Sequence, residues 1–254
     1  MINILLIGCN GKMGRVISKL AEQYEDLRIA AGYDLNGSSG NNYPVFTRLD
    51  DCNVHVDVIV DFSNPAAFDS IIAYALSNKL PVVVATTGLS TAQKNNLELA
   101  SKKIPVFFSS NMSLGVNLLI DLVKKAAKLL EPNFDIEIIE KHHNQKLDAP
   151  SGTALSIADS INTVLEQKCD YVYDRHSRRK KRSKSEIGIH AVRGGTIVGE
   201  HSVIFAGNDE VIEISHSAMS KDIFGTGALR AARFIYSKKP GLYSMEELIA
   251  ESNF

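Results

Sequence analysis

A glycine-rich loop follows the first apolar segment of the chain and limits the folds open to it. The apolar run Ile2–Ile7 precedes Gly8–Gly14, whose glycines have the spacing G-x-x-G-x-x-G. Such a run favours a strand buried on both faces, and the apolar period over Met13–Glu25 favours an amphipathic helix. Glycines between a strand and a helix let a pyrophosphate approach backbone N–H groups and the positive end of the helix. The loop therefore predicts a dinucleotide-binding unit.

An acidic residue follows the second predicted strand, Leu27–Tyr33. Asp34 lies about 20 residues after the loop, where a carboxylate accepts hydrogen bonds from the cofactor ribose. A carboxylate there repels a 2′-phosphate and favours NADH, whereas Lys12 places positive charge near that phosphate and favours NADPH. The alternative is that Asp34 only begins the polar turn Asp34–Asn42.

Strand-like and helix-like segments alternate through the rest of the first half. Further strands are predicted at Val54–Phe62, Pro81–Thr86 and Pro105–Phe108, with helices at Ala66–Leu76 and Ala92–Lys102. This pattern predicts an α/β fold with a Rossmann-like, doubly wound parallel sheet. Ligands bind outside the carboxyl ends of such strands, so the polar residues there are candidates for nicotinamide contacts, with ordinary turns as the alternative. These ends are Asp61-Phe62-Ser63, Ala85-Thr86-Thr87-Gly88 and Ser109-Ser110-Asn111-Met112.

The pattern changes in the second half, where strands follow one another without helices between them. A helix at Val116–Leu130, a strand at Phe134–Lys141 and a helix at Thr153–Leu165 precede this run, and short helices at Ala228–Tyr236 and Met245–Ile249 follow it. The consecutive strands indicate a second α+β domain built on an open mixed sheet. They are predicted at Gly188–Val192, Thr196–Phe205 and Val211–His216.

The segment Glu140–Thr153 has the densest set of reactive side chains. His142, His143 and Lys146 leave a strand and precede Ser151-Gly152-Thr153 at a helix start. Histidine exchanges protons near neutral pH, and a helix N-terminus opposite cations suits a carboxylate substrate. A polar loop with locally bonded histidines is the alternative. No metal is expected, because adjacent strand residues point to opposite faces.

Composition excludes several classes of protein. The chain has 28 Lys+Arg against 29 Asp+Glu and 44% hydrophobic residues, which argues against a disordered chain and against a nucleic-acid binder. Three cysteines are too few for a disulfide framework, and no apolar run reaches membrane-spanning length. With no signal-peptide pattern at Met1, a cytoplasmic protein is expected. The one basic run, Arg175–Lys184, is interpreted as an exposed mobile loop rather than a nucleic-acid patch.

The sequence resembles the dihydrodipicolinate reductase family, also called 4-hydroxy-tetrahydrodipicolinate reductase, over nearly its whole length. The signature E-x-H-H-x-x-K-x-D-A-P-S-G-T is matched from Glu140 to Thr153. Further matches are Lys12-Met13-Gly14, the strand ends at Asp61, Thr86 and Asn111, and Arg193-Gly194-Gly195 with Ile197–His201. The resemblance implies NAD(P)H-dependent reduction of 4-hydroxy-tetrahydrodipicolinate to tetrahydrodipicolinate in lysine and diaminopimelate biosynthesis.

The resemblance also implies roles for individual residues. His142 and Lys146 would be catalytic, as acid/base and proton donor. The substrate carboxylates would be held by His143, Lys146, Ser151, Gly152 and Thr153. The dinucleotide would be held by Gly8, Cys9, Asn10, Gly11, Lys12, Met13, Asp34, Ala85, Thr86, Thr87, Ser109, Ser110, Asn111 and Met112.

The family pattern implies domains at 1–113 plus 225–254 and at 114–224, and a homotetramer assembled through the second domain. Many relatives have arginine where this chain has Leu35, which shifts the expected cofactor towards NADH, alone or together with NADPH. Ala85 replaces a glycine of the family pattern and adds only a methyl group. Another two-domain reductase and a redox-sensing NAD-binding regulator remain as alternatives.

Overall fold

The computed structural model describes residues 1–37 and 40–251. Residues 38 and 39 of the predicted polar turn and the last three residues of the predicted first domain lie outside this range. The chain forms two compact units, one of Met1–Leu114 with Asp222–Phe254 and one of Gly115–Lys221.

Twelve strands and seven helices lie in the described residues. The strands are β1 (Ile2–Ile7), β2 (Leu27–Tyr33), β3 (Val45–Phe46), β4 (Val58–Asp61), β5 (Val82–Val84), β6 (Pro105–Phe108), β7 (Asp135–His142), β8 (Asp170–Val172), β9 (Glu186–Arg193), β10 (Gly199–Ala206), β11 (Val211–Ala218) and β12 (Gly241–Tyr243). The helices are α1 (Lys12–Ala21), α2 (Phe68–Asn78), α3 (Thr91–Ser101), α4 (Leu114–Leu130), α5 (Gly152–Asn162), α6 (Asp222–Ile235) and α7 (Met245–Glu251). None of the helices among these residues is long and apolar enough to span a membrane.

A seven-stranded parallel sheet forms the first unit. Its strand order is β12-β6-β5-β4-β1-β2-β3, so the order reverses between β1 and β4. Ile4 and Leu6 pack in a core with residues of α1, α6 and α7, whereas Leu5 and Ile7 pack in a second core with residues of α2 and α3. Helices on both faces confirm the predicted Rossmann-like doubly wound sheet.

A five-stranded mixed sheet forms the second unit. In the order β11-β10-β7-β9-β8, β10 is antiparallel to β7 and β11, whereas β9 is parallel to β7 and β8. Apolar residues of α4 and α5 pack on one face, around Ile138 and Val203. This arrangement confirms the predicted α+β domain with an open mixed sheet.

Some elements differ from those predicted. Strands β3, β8 and β12 are only two or three residues long, which is too short to show the alternation of apolar and polar residues that predicts a strand. Helix α6 begins before the predicted Ala228 and contains two buried glycines. A Cβ on Gly227 would lie 1.7 Å from the carbonyl oxygen of Met112, and one on Gly225 would lie 2.9 Å from Leu20. The glycines therefore permit close packing of α6.

The interpretation of Arg175–Lys184 as merely an exposed loop is wrong for two of its arginines. Arg182 donates to Glu137 at 2.9 Å and to Asp135 at 2.9 Å, and Arg175 donates to Glu137 at 2.8 Å. The long guanidinium side chains reach carboxylates on β7 that the sequence places far away. They hold this segment against the sheet.

Candidate active site

Two glycines of the glycine loop have no room for a side chain. Gly8 has φ +76°, and a Cβ there would lie 2.8 Å from the carbonyl oxygen of Phe62. A Cβ on Gly14 would lie 2.2 Å from the carbonyl oxygen of Gly8. Gly11 is the exposed N-cap of α1, so the N–H groups of the first turn have no capping side chain. The loop fits a pyrophosphate, which binds such N–H groups.

Asp34 joins the end of β2 to the glycine loop. Its Oδ2 accepts from the backbone N–H of Asn10 at 3.1 Å, and its Oδ1 accepts from that of Asn36 at 3.1 Å. The Asn10 side chain in turn donates to the carbonyl of Gly37 at 2.5 Å. Asp34 is half-buried next to Leu35, whose residue surface is 74% exposed. The predicted ribose-binding carboxylate is thus fixed beside the predicted phosphate loop.

Asp61, in one of the strand ends predicted to contact the nicotinamide, is a buried carboxyl at the end of β4. Asp61 Oδ1 accepts from the backbone and hydroxyl of Ser63 at 2.9 and 2.6 Å, and its Oδ2 accepts from the Thr86 hydroxyl at 2.8 Å. Burial raises the pKa of Asp61 despite these hydrogen bonds. Because the Thr86 hydroxyl donates to Asp61, it holds two neighbouring strand ends together.

The other predicted cofactor residues divide by the direction of their side chains. Cys9 and Met112 are buried in the core of the first unit, which leaves their backbone atoms for a cofactor. Burial and the charge of Asp34 raise the pKa of Cys9 to about 11, so the thiol stays protonated and is unsuited to redox chemistry. Exposed or half-buried positions are taken by Lys12, Met13, Ala85, Thr87, Ser109, Ser110 and Asn111.

Glu140 and His142 lie on the same face of β7, in the second unit. Glu140 has no exposed surface, and its Oε2 lies 2.6 Å from His142 Nδ1. Arg193 donates to both oxygens of Glu140 at 2.7 Å, and the backbone N–H of Ser151 donates to Oε1 at 2.9 Å. Burial opposes ionisation, but the Arg193 and His142 hydrogen bonds hold the pKa of Glu140 below its usual value. The buried carboxylate therefore orients the histidine.

The N-terminus of α5 lies beside this carboxylate. The Ser151 hydroxyl accepts from the backbone N–H of Ala154 at 3.2 Å and lies 3.1 Å from His201 Nε2. Gly152 is exposed, and a Cβ there would have no atom within 4 Å. Thr153 is half-buried in the first helical turn. Such a terminus offers N–H groups to an anion.

His143 and Lys146 lie in the turn after β7. The backbone N–H of Lys146 donates to the carbonyl of His143 at 3.2 Å, and its ammonium lies 2.9 Å from Asp148. Both residues are partly accessible. The structure thus brings His142, Ser151 and the Lys146 turn into one region of the second unit.

Sequence reasoning assigned no roles to Glu140, Arg193 and His201, although all three lie in the matched motifs. Glu140 could have been found from its position, because residues two apart on a strand share a face. Arg193 pairs in register with His142, and His201 pairs with Glu140. Neither pairing can be read from the sequence, since β9 and β10 are distant from β7 along the chain.

Comparison with known proteins identifies the family. The model for the dihydrodipicolinate reductase N-terminus matches residues 2–112, and the model for its C-terminus matches residues 115–249. A 4-hydroxy-tetrahydrodipicolinate reductase of Caldanaerobacter subterraneus is 56% identical over 98% of each chain. One of Staphylococcus epidermidis is 45% identical over 97% of this chain and 100% of its own.

Solved structures give the same result. A dipicolinate-bound dihydrodipicolinate reductase from Paenisporosarcina sp. TG-14 has a TM-score of 0.83 and 26% identity, over 97% of this chain and 99% of its own. A probable dehydrogenase from Thermotoga maritima shares the fold alone, with a TM-score of 0.62 and 12% identity over 97% of this chain and 92% of its own. The chain belongs to the dihydrodipicolinate reductase family.

Proposed function

We propose that the chain reduces 4-hydroxy-tetrahydrodipicolinate to tetrahydrodipicolinate, with NADH or NADPH bound by the glycine loop and the substrate bound by the second unit. The observation that carries this proposal is the contact of His142 with the buried Glu140 beside the N-terminus of α5. It lies within the family signature, and a relative of the same fold is described as dipicolinate-bound.

The dinucleotide is held by the glycine loop, Gly8–Gly14. Gly8 and Gly14 have no room for a side chain, and Asp34 faces the loop through Asn10. The ribose contacts fall to Asp34, and the remaining contacts fall to the strand ends at Ala85–Thr87 and Ser109–Met112. When bound, the reduced nicotinamide supplies a hydride to C4 of the substrate ring.

The two substrate carboxylates are held by side-chain donors and by helix N–H groups. Lys146 supplies positive charge and His143 supplies a ring hydrogen-bond donor, while the Ser151 hydroxyl and the N–H groups of Gly152 and Thr153 supply the donors of the α5 N-terminus. The Lys146 ammonium exchanges its contact with Asp148 for one with the substrate. Carboxylates at C2 and C6 of a ring need two such anion sites.

The reaction must add one proton to the substrate ring, and we assign His142 and Lys146 to this step. Loss of water gives a conjugated ring imine, and arrival of the hydride at C4 leaves an enamine that must gain one proton. Glu140 accepts a hydrogen bond from Nδ1 of His142, which leaves Nε2 to exchange that proton. Lys146 stabilises the electron-rich side of the ring as negative charge develops.

The activity is tested by coupling the protein to freshly made product of dihydrodipicolinate synthase. Oxidation of NADH or NADPH that depends on both the synthase and this protein is the expected result. The matched control is the His142→Gln variant, which differs from the wild-type protein only in lacking the proposed acid/base group. Failure of the wild-type protein to oxidise either cofactor contradicts the assignment.

The cofactor preference follows from the end of β2. Asp34 lies where a 2′-phosphate would be repelled, and Leu35 offers no positive charge to offset it. Exposed Lys12 is the one predicted cofactor residue that attracts the phosphate. NADH is therefore used at least as well as NADPH.

The assembly and location complete the proposal. The sheet face opposite α4 and α5 carries the exposed side chains Val192 and Val211, which are 45% and 65% exposed as residues. Packing of such faces between copies gives a homotetramer in the cytoplasm. Light scattering on the purified protein tests the tetramer, and a monomer contradicts it.

A further inference from the structure

His201 is a buried histidine beside the proposed acid/base residue. It lies on β10 with 4% of its residue surface exposed. Its ring meets that of His142 edge to face, with centroids 5.3 Å apart and an angle of 74° between the planes. His201 thus touches the two groups that the proposed reaction uses, His142 and Ser151.

The charge state of His201 follows from its surroundings. Burial, followed by the neighbouring His142, lowers the pKa of His201 to about 4. The ring is therefore neutral at pH 7, with a proton on one nitrogen only. Its Nε2 faces the Ser151 hydroxyl at 3.1 Å, whereas its buried Nδ1 has no hydrogen-bond partner among the described residues.

The two tautomers have different consequences for Ser151. With the proton on Nδ1, the ring would keep a buried N–H without an acceptor, which is rarer in proteins than an acceptor without a donor. With the proton on Nε2, the ring donates to Ser151 Oγ. That oxygen already accepts from Ala154 N–H, so both of its lone pairs are used. The hydroxyl hydrogen must then point to a third partner.

We propose that His201 is a positioning residue, whose Nε2–H donates to Ser151 Oγ and so directs the Ser151 hydroxyl towards a substrate carboxylate oxygen. Its ring edge at the same time limits rotation of the His142 ring. This proposal rests on the proposed function, since it assigns the acceptor of the Ser151 hydroxyl as the dicarboxylate substrate.

Packing alone does not explain a histidine at this position. A buried polar atom without a partner destabilises the folded chain, and phenylalanine has a similar shape without such an atom. A purely structural role therefore predicts that His201→Phe loses stability but leaves substrate affinity unchanged. A positioning role predicts that His201→Phe keeps its stability but binds the substrate more weakly.

The test compares His201→Phe with the conservative His201→Gln, whose side-chain amide can still donate to Ser151. His201→Phe is expected to raise KM for the substrate about 10-fold, the effect of losing one hydrogen bond of about 1.4 kcal/mol. KM for NADH should change less than about twofold and the thermal midpoint should not fall. His201→Gln should recover most of the lost affinity.

A double variant tests whether His201 acts through Ser151. Adding His201→Phe to Ser151→Ala should raise KM no further than Ser151→Ala alone, because the group that His201 orients is already gone. Additive effects, or wild-type KM in His201→Phe, would overturn the proposal.

Two further measurements separate this proposal from the proposed function. Nitrogen NMR of the intact protein should show His201 protonated on Nε2 at pH 7, and protonation on Nδ1 would overturn the proposal. Calorimetry with pyridine-2,6-dicarboxylate, a stable dicarboxylate, should show weaker binding to His201→Phe, and equal binding would overturn it. If the wild-type protein binds this probe but does not oxidise the cofactor, the proposed function fails and the positioning of Ser151 stands.

Discussion

The imidazole Nδ1 of His142 lies 2.6 Å from Oε2 of Glu140, a carboxylate with no exposed surface. The same carboxylate accepts two hydrogen bonds from Arg193 and one from the backbone of Ser151. One buried group therefore fixes the orientation of the proposed acid/base histidine and the position of the helix terminus proposed to bind a substrate carboxylate. Loss of this carboxylate should affect both.

Replacement of Glu140 by glutamine should reduce both activity and stability. The amide presents N–H groups to Arg193 and His142, which are themselves donors, and it leaves the Arg193 charge without its partner. Breaking a buried ion pair in this way costs about 3–5 kcal/mol of unfolding free energy. Kinetic assays and chemical unfolding measure the two effects.

The control for Glu140→Gln is Glu200→Gln in the same sheet. Glu200 pairs with Lys141 at 2.9 Å, but both side chains are substantially exposed. Exposed pairs contribute about 0–1 kcal/mol, so the control should remain stable and active. Equal stability of the two variants would contradict the importance given to the Glu140 network.

Replacement of His142 by glutamine should lower kcat about 10²-fold or more, the scale of lost acid/base catalysis. Glutamine can still hydrogen-bond but exchanges no proton near neutral pH. His176, an exposed histidine in the second unit, provides the control variant His176→Gln. Steady-state assays should show a lower kcat for His142→Gln and an unchanged kcat for His176→Gln. A near-normal kcat in His142→Gln would refute the proposed acid/base role of His142.

Much of the fold could be predicted from the sequence because its signals are local. The glycine loop and the apolar strand β1 are adjacent in the chain, and their geometry is as expected. The contacts of Glu140 with Arg193 and of Ser151 with His201 join distant segments. The register of the second sheet places Arg193 and His201 beside Glu140, and the hydrogen bond from the Ser151 N–H to Glu140 adds the N-terminus of α5. Such pairings leave no periodic signal in one sequence.

Two glycines of the loop should respond differently to alanine. A Cβ on Gly14 would overlap the carbonyl oxygen of Gly8 at 2.2 Å, so Gly14→Ala should destabilise the first unit and weaken NADH binding. A Cβ on Gly11 would lie 3.2 Å from the same atom, in an exposed position. Gly11→Ala should raise KM for NADH with little loss of stability. Thermal unfolding and cofactor titration measure both, and equal stability of the two variants would argue against this description of the loop.

Substitution of Leu35 by arginine should improve the use of NADPH relative to NADH. The guanidinium would lie beside Asp34 and could pair with a 2′-phosphate. Leu35→Ala removes the side chain without adding charge and serves as the control. The measured quantity is the ratio of kcat/KM for the two cofactors, and a ratio unchanged by arginine would show that this position does not set the preference.

The free energy of unfolding should fall as the pH is lowered from 7 to 5. His201 has a pKa of about 4 when folded, against 6.5 ordinarily, so between these values the unfolded chain binds a proton that the folded chain does not. For this one residue the loss is about 1–2 kcal/mol at pH 5. The groups that act on it are His142, Glu140, Lys146 and His216.

His201→Phe removes this titration and should flatten the pH dependence. Burial also lowers the pKa of His216, which remains in the variant, so some dependence should persist. Denaturant unfolding of both proteins at pH 7 and pH 5 gives the comparison. Parallel losses in the two proteins would mean that His201 is not buried in its neutral form.

We expect the hydride of the reduced nicotinamide to reach C4 of the substrate ring. Single turnover with NADH carrying deuterium at the transferred position of its C4, followed by mass spectrometry of the tetrahydrodipicolinate, tests this transfer directly. We expect one deuterium per product molecule, located at ring C4. A product without label, or with label at another carbon, would contradict the claim.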